Sequence, residues 1–257
     1  MRRRVLPRRL GHGEEASLVE HLGELRTRLL IALASVAVGF GFAFAFNNHL
    51  LRWLKEPLPD RFKIVTLSPT EPFFTSIKIS LYAGFAIALP IVLYQVWAFL
   101  APAVDERMQR TVSAFVLLAT GLFAAGVAFA YFVVLPRALT FLLNFNSDVF
   151  EAQVRASYYF SFISIVLLAM GLTFELPIFV LALVRLRVVT AAQLRRNWRM
   201  GVFLVVLFAV LLPTVDPISL TFETIPLLAL FGLSLGLATV MERRWERAAL
   251  EDWAPET

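Results

Sequence analysis

The sequence points to an all-α membrane protein. It predicts six transmembrane helices with both termini inside (N-in/C-in), an N-terminal amphipathic cytoplasmic helix, and short fifth and sixth spans. Three observations carry this reading. Of the 257 residues, 59% are apolar and only 17% charged, against about 45–50% and about 25% in soluble domains. Apolar runs recur at bilayer length, and arginines gather on alternate connections. So hydrophobic a chain is not disordered, and without cysteine it holds no disulfide or thiolate metal site. A net charge of +5 would suit an acidic partner, but this background argues against nucleic acid.

A helix crossing about 30 Å of hydrocarbon needs about 20 mostly apolar residues. Leu29–Phe46, Phe73–Ala98, Thr111–Leu135 and Tyr158–Val184 meet or nearly meet that length. Met200–Leu212 and a last run around Ile225–Met241 are shorter, and the turn formers of Pro213–Glu223 between them suggest a tight hairpin. Six spans place 17 Lys and Arg side chains inside and six outside, with Lys78 in a span. That asymmetry follows the positive-inside rule, and removing one span would erode it. Leu29–Phe46 is too long for a signal-peptide core and no small-residue cleavage site follows, so it is expected to remain as an anchor. No connection exceeds about 30 residues, which predicts one membrane domain over residues 1–257.

Ser17-Leu18-Val19-Glu20 fits a capping box, and Leu18, Leu22, Leu25 and Leu29 form one apolar stripe of an amphipathic helix. Glu24 and Arg28 share another face. On the residues alone they are either an intrahelical pair of about 0.2–0.5 kcal/mol or a carboxylate offered to a cationic ligand at the membrane surface. The outer loop Asn47–Pro72, with Trp53 and four prolines including Pro57, is long enough for a short helix or cap. Lys78 lies near the outer end of its span and is expected to snorkel outward, too far in depth from Glu175 to pair with it. Pro90 is expected to kink the second span. Tyr94, Trp97 and Phe99 read as an interfacial aromatic belt.

Glu175 sits inside the apolar run Leu167–Val184. An ionisable residue there needs a cavity or a partner; the alternative is a neutral carboxylic acid bonded to a carbonyl that Pro177 leaves free. His12, His21 and His49 lack metal-ligand spacing. Nucleotide-binding, zinc-helix and nucleophile-elbow motifs are absent from the sequence. Neither a cofactor nor an enzyme is expected.

Five ordered segments resemble one family. Glu20-His21-Leu22-Gly23-Glu24-Leu25-Arg26-Thr27-Arg28 is similar to the EHLxELRxR opening of the TatC family, the large polytopic subunit of the twin-arginine protein translocase. Ser68-Pro69-Thr70-Glu71-Pro72-Phe73 through Lys78 resembles its SPxEPFxxxxK segment, and Pro90 through Pro102, with Tyr94, Gln95, Trp97 and Phe99, its PxxxYQxWxFxxP stretch. Phe174-Glu175-Leu176-Pro177 and Thr214-Val215-Asp216-Pro217-Ile218-Ser219 complete the series.

The resemblance implies a receptor for twin-arginine signal peptides on folded cargo. It also implies an oligomeric complex with TatA- and TatB-type single-span partners, powered by the proton-motive force. Under it Glu24 looks like the signal-binding glutamate, suited to a guanidinium through paired charge-assisted bonds, with Arg26 and Phe99 at the same cytoplasmic site. Glu175 and Gln95 match intramembrane polar positions, Pro57 a proline of the outer cap, and Asp216 the outer hairpin aspartate. Two positions depart from the pattern. Met108 stands where many relatives carry a second signal-binding glutamate, which leaves Glu106, by preference, or Asp105 to supply that carboxylate, or Glu24 to act with less help. Leu220 replaces a common glutamine. Arginine exceeds lysine 21 to 3, which with the absence of an organelle transit segment suggests a bacterial cytoplasmic membrane. A six-span proton-coupled secondary transporter or channel is the alternative.

Overall fold

The computed structural model describes residues 18–100, 112–150, 152–186, 188–211 and 217–252. Helices follow the apolar runs, because a backbone shielded from water must satisfy its own N–H and C=O groups. Helix α1 (Leu18–Ala45) joins the amphipathic stretch and the first apolar run without a break. The Asn47–Pro72 segment contributes α2 (Asn47–Lys55), and α3 (Glu71–Leu100) stays helical through Pro90. Helix α4 (Val112–Phe129), a π-helical turn (Ala130–Val134) and α5 (Leu135–Asn144) form one continuous rod. Helices α6 (Ala156–Thr173) and α7 (Leu176–Arg185) are separated only by Phe174 and Glu175. Short α8 (Ala191–Arg196) starts with a Thr190–Gln193 capping box, and α9 (Trp198–Leu211) and α10 (Pro217–Asp252) complete the described chain.

Among the described residues, five helical stretches are long and apolar enough to cross a membrane. They are His21–Ala45, Glu71–Phe99, Phe115–Asn144, Ala156–Arg185 and Leu220–Glu242. Trp198–Val210 is the shorter apolar helix. The fifth segment is therefore short, as its apolar run indicated, but the sixth is not. Pro217 opens α10, where a missing N–H costs nothing, and the helix continues past Pro226 into a polar stretch. The hairpin anticipated over Pro213–Glu223 thus already turns helical at Pro217. One further difference is a two-residue parallel pairing, β1 (Ile64–Val65) with β2 (Val154–Arg155), in register Ile64 to Val154 and Val65 to Arg155.

The antiparallel α1–α3 pairing is the most extensive among the described residues. Gly39 and Ala43 on α1, and Ser80, Gly84 and Ala88 on α3, recur every fourth residue and are all buried. A Cβ at Gly39 would strike the Gly84 carbonyl, and one at Gly84 would strike the backbone at Phe40 and Gly39. Lipid tails are as apolar as leucine, so association here comes from close backbone approach and dispersion. Helix α6 packs against both α3 and α4, while α10 covers α7 and α9.

The main core lies beneath α2 and joins Leu54, Leu58, Ile79, Tyr131, Leu135, Tyr159 and Ile163. The last carbonyls of a helix lack intrahelical donors, and two tyrosines supply them to α2. Tyr159 donates to the Leu54 carbonyl at 3.0 Å, and the Tyr131 hydroxyl sits 2.9 Å from the Trp53 carbonyl and 3.0 Å from Glu56 Oε2. The Tyr131 ring also stacks on Trp53 at 4.4 Å, nearly parallel. The π-helical turn carries Tyr131 and buries it together with Val134 and Leu135. Trp97 is not part of an interfacial belt: it is 6% exposed and packs with Phe115, Ala119 and Ile178 between α3, α4 and α7.

Candidate functional site

Pairing α1 with α3 head to tail brings the start of one beside the end of the other. His21 stacks on Phe99 with ring centroids 4.5 Å apart and planes 23° apart. One turn along α1, Glu24 accepts from Arg28 Nε at 2.9 Å and also from its Nη2, both bonds falling on the same oxygen, Oε1. The intrahelical pair thus forms, yet Glu24 Oε2 has no hydrogen bond among the described residues. The Glu24 and Arg28 side chains are half-buried, and Arg26 is exposed. Thr27 bonds back to the Gly23 carbonyl at 3.0 Å, which keeps that hydroxyl on its own helix. The helix presents a carboxylate beside an aromatic–imidazole stack, a combination suited to a planar cation. His21 was read only as a non-ligand histidine; its partner ring lies on another helix, beyond the reach of sequence spacing. Asp105, Glu106 and Met108 lie outside the described residues, as do Asp216, Ser17 and the Glu20 side chain.

Glu175 occupies the break between α6 and α7. Pro177 supplies no N–H to the preceding turn, while the Phe179 amide still bonds the Glu175 carbonyl at 3.0 Å. Both carboxylate oxygens of Glu175 are sealed from solvent and hydrogen-bond to no described residue. The alternative reading, a bond to a freed carbonyl, is therefore not met by any described residue. Gln95 is half-buried in the last two turns of α3. Lys78 does not approach Glu175; it is exposed, with Nζ 3.4 Å from Ser161 Oγ.

Pro57 is half-buried in the turn that ends α2. The residue that sequence reasoning passed over is Glu71. Its Oε2 accepts the Leu67 amide at 2.9 Å, and its Oε1 accepts Arg155 Nε and the Ser157 amide, each at 3.0 Å. One carboxylate thereby joins the start of α3 to β2 and the start of α6. Its place in the Ser68–Lys78 segment was the available signal. Among the described residues, no three His, Asp or Glu side chains converge as a metal-binding group.

Fold and site define a multi-pass helical membrane protein that presents a carboxylate and an aromatic stack at one membrane surface and a second carboxylate within a broken helix. The family model for the Sec-independent protein translocase protein (TatC) matches residues 20–226. The chain belongs to the TatC family. It is 39% identical over 235 residues to the Sec-independent protein translocase protein TatC of Aquifex aeolicus (strain VF5), covering 88% of this chain and 96% of that one. The corresponding protein of Helicobacter pylori (strain J99) is 33% identical over 224 residues, covering 87% and 89%. A crystal structure of a twin-arginine translocase receptor, TatC, superposes with a TM-score of 0.76 at 37% identity, covering 85% of this chain and 99% of that chain.

Proposed function

We propose that the chain is the receptor subunit of a twin-arginine translocase. It sits in the bacterial cytoplasmic membrane with both termini in the cytoplasm, and it binds the arginine pair of a signal peptide borne by folded cargo. Glu24 Oε2, which bonds no described residue while Oε1 holds Arg28 one turn from the His21–Phe99 stack, is the observation that supports this reading most. A peptide guanidinium takes Oε2 and lies against the Phe99 side, with Arg26 bordering the site. Glu106, or Asp105, supplies a second carboxylate from the loop after α3. The apolar part of the signal then lies along the wall that carries Gln95 and Glu175. TatA- and TatB-type single-span helices join the complex, and the proton-motive force drives passage. Pro57 and Asp216 serve the outer cap and hairpin. The chain acts as a receptor and not as an enzyme.

The test is crosslinking of a photoreactive twin-arginine signal peptide to the purified protein in nanodiscs. Glu24→Gln is expected to lower apparent affinity tenfold or more, because hydrogen bonds to charged groups contribute about 1.5–3 kcal/mol. A peptide with two lysines should show little difference between wild type and variant. Undiminished binding of the arginine peptide by the variant would overturn the assignment. The transporter or channel alternative, which family membership does not favour, predicts solute flux in proteoliposomes containing this chain alone.

A further inference from the structure

The six outer Lys and Arg side chains do not share one task. Arg155 is held by Glu71 at 3.0 Å. Arg61 donates to Asn144 and lies 4.8 Å over the Phe62 ring. Arg137 donates to the Val133 carbonyl at 2.7 Å and lies 4.5 Å over Phe222. The remaining three, Arg52, Lys55 and Lys63, make no ion pair or hydrogen bond with the described residues. All three line one open cavity of about 630 Å³ between α2 and the segment leading into β1. Its other lining residues are Leu51, Asp60, Phe62, Ile64 and Phe160.

The position of the cavity specifies the ligand. Helix α2 follows α1 after a single residue, directly past the end of the first apolar span, and carries Trp53, a residue type favoured at membrane–water interfaces. Phe160 belongs to the spanning helix α6, so the cavity's apolar wall continues toward the acyl region. Arg52 and Lys55 could be attributed to the negative end of α2, in whose last turn they lie. Lys63 cannot, since it reaches the cavity from beyond that helix. Three cations against one carboxylate leave an excess of two positive charges, on the side of the protein where such residues are fewest. Basic pockets between transmembrane helices bind anionic lipid head groups on the cytoplasmic side, and the same charge complementarity holds for a cationic cavity beside an apolar wall here.

We propose that this cavity is a binding site for one anionic phospholipid of the outer leaflet. Its phosphate is held by Arg52, Lys55 and Lys63, and its upper acyl chain lies on Leu51, Ile64 and Phe160. The lipid fastens the cap to the bilayer. The inference is independent of signal-peptide binding and uses the orientation proposed above only to name the leaflet.

The experiment measures saturable binding to the purified full chain in mild detergent by native mass spectrometry. The probes are dioleoyl phosphatidylglycerol, dioleoyl phosphatidylcholine and inorganic phosphate. Phosphatidylglycerol should bind and resist displacement by inorganic phosphate, and the zwitterionic lipid with the same chains should bind at least tenfold more weakly. Each cation replaced by glutamine should weaken binding roughly fivefold, and R52K/K55R/K63R should retain it. Asp60→Asn should tighten binding, a gain that no folding defect produces. Equal retention of both lipids, full competition by inorganic phosphate, or unchanged binding by R52Q/K55Q/K63Q would each overturn the proposal.

Discussion

Two glutamates with opposite roles illustrate the residue scale. Glu24 and Glu71 both bond an arginine, but Glu71 spends both oxygens on one described environment, whereas Glu24 uses one. Glu71→Ala removes three bonds to a carboxylate and strands the Leu67 and Ser157 amides. It should lower the thermal unfolding midpoint by several degrees, followed by intrinsic fluorescence in detergent, while leaving peptide affinity unchanged. Loss of peptide binding at an undiminished midpoint would contradict that division of roles. Tyr159→Phe leaves the Leu54 carbonyl at the end of α2 without its side-chain donor. Its expected cost is about 1 kcal/mol, read from the denaturation midpoint. The Tyr159 partner could not be read from the chain, because it is a backbone carbonyl whose availability depends on where α2 ends.

Among the helices, the α1–α3 crossing determines whether His21 and Phe99 meet beside Glu24. Gly39 and Gly84 allow backbone contact, and that contact sets where His21 meets Phe99. Gly84→Leu should cost about 1–3 kcal/mol by overpacking and should also weaken signal-peptide crosslinking, although residue 84 lies far along the helix from Phe99. Gly23→Leu, where a Cβ meets nothing within 4 Å, should leave the unfolding midpoint nearly unchanged. The every-fourth-residue pattern of Ser80, Gly84 and Ala88 was visible in the sequence, but only its burial against Gly39 and Ala43 distinguishes it from a lipid-facing row. The π-helical turn had no sequence signature beyond the Pro136 that follows it. Trp97 was misplaced for a similar reason: an aromatic at an interfacial depth can point inward as well as outward.

At the scale of the whole molecule, orientation and the intramembrane carboxylate make the sharpest predictions. The chain has no cysteine, so single cysteines report sidedness directly. Asp148→Cys should react with a membrane-impermeant maleimide in intact cells, and Ala192→Cys only after lysis. The reverse pattern would invert the topology and the leaflet assigned to the lipid. Glu175→Leu removes a side chain whose charged form costs on the order of 2.5–3.5 kcal/mol or more to insert. The variant should insert as well as wild type or better and still bind the signal peptide, while export of a twin-arginine reporter falls. Full export would defeat the role given to Glu175.

Hydropathy and charge asymmetry alone determined the all-α membrane class, the order of the apolar segments and the place of Glu175 within one of them. These properties follow from the solvent, since a bilayer imposes length, backbone satisfaction and sidedness on any chain that crosses it. Tertiary structure decided what the same chain leaves undetermined one residue at a time. It placed the Glu71 carboxylate on α6, turned Trp97 inward, stacked His21 on Phe99, and brought to one open cavity three cations that pair with no described residue. Each of these depends on helix rotation and crossing. In a medium as apolar as the side chains themselves, those are set by close packing between particular partners rather than by hydrophobicity.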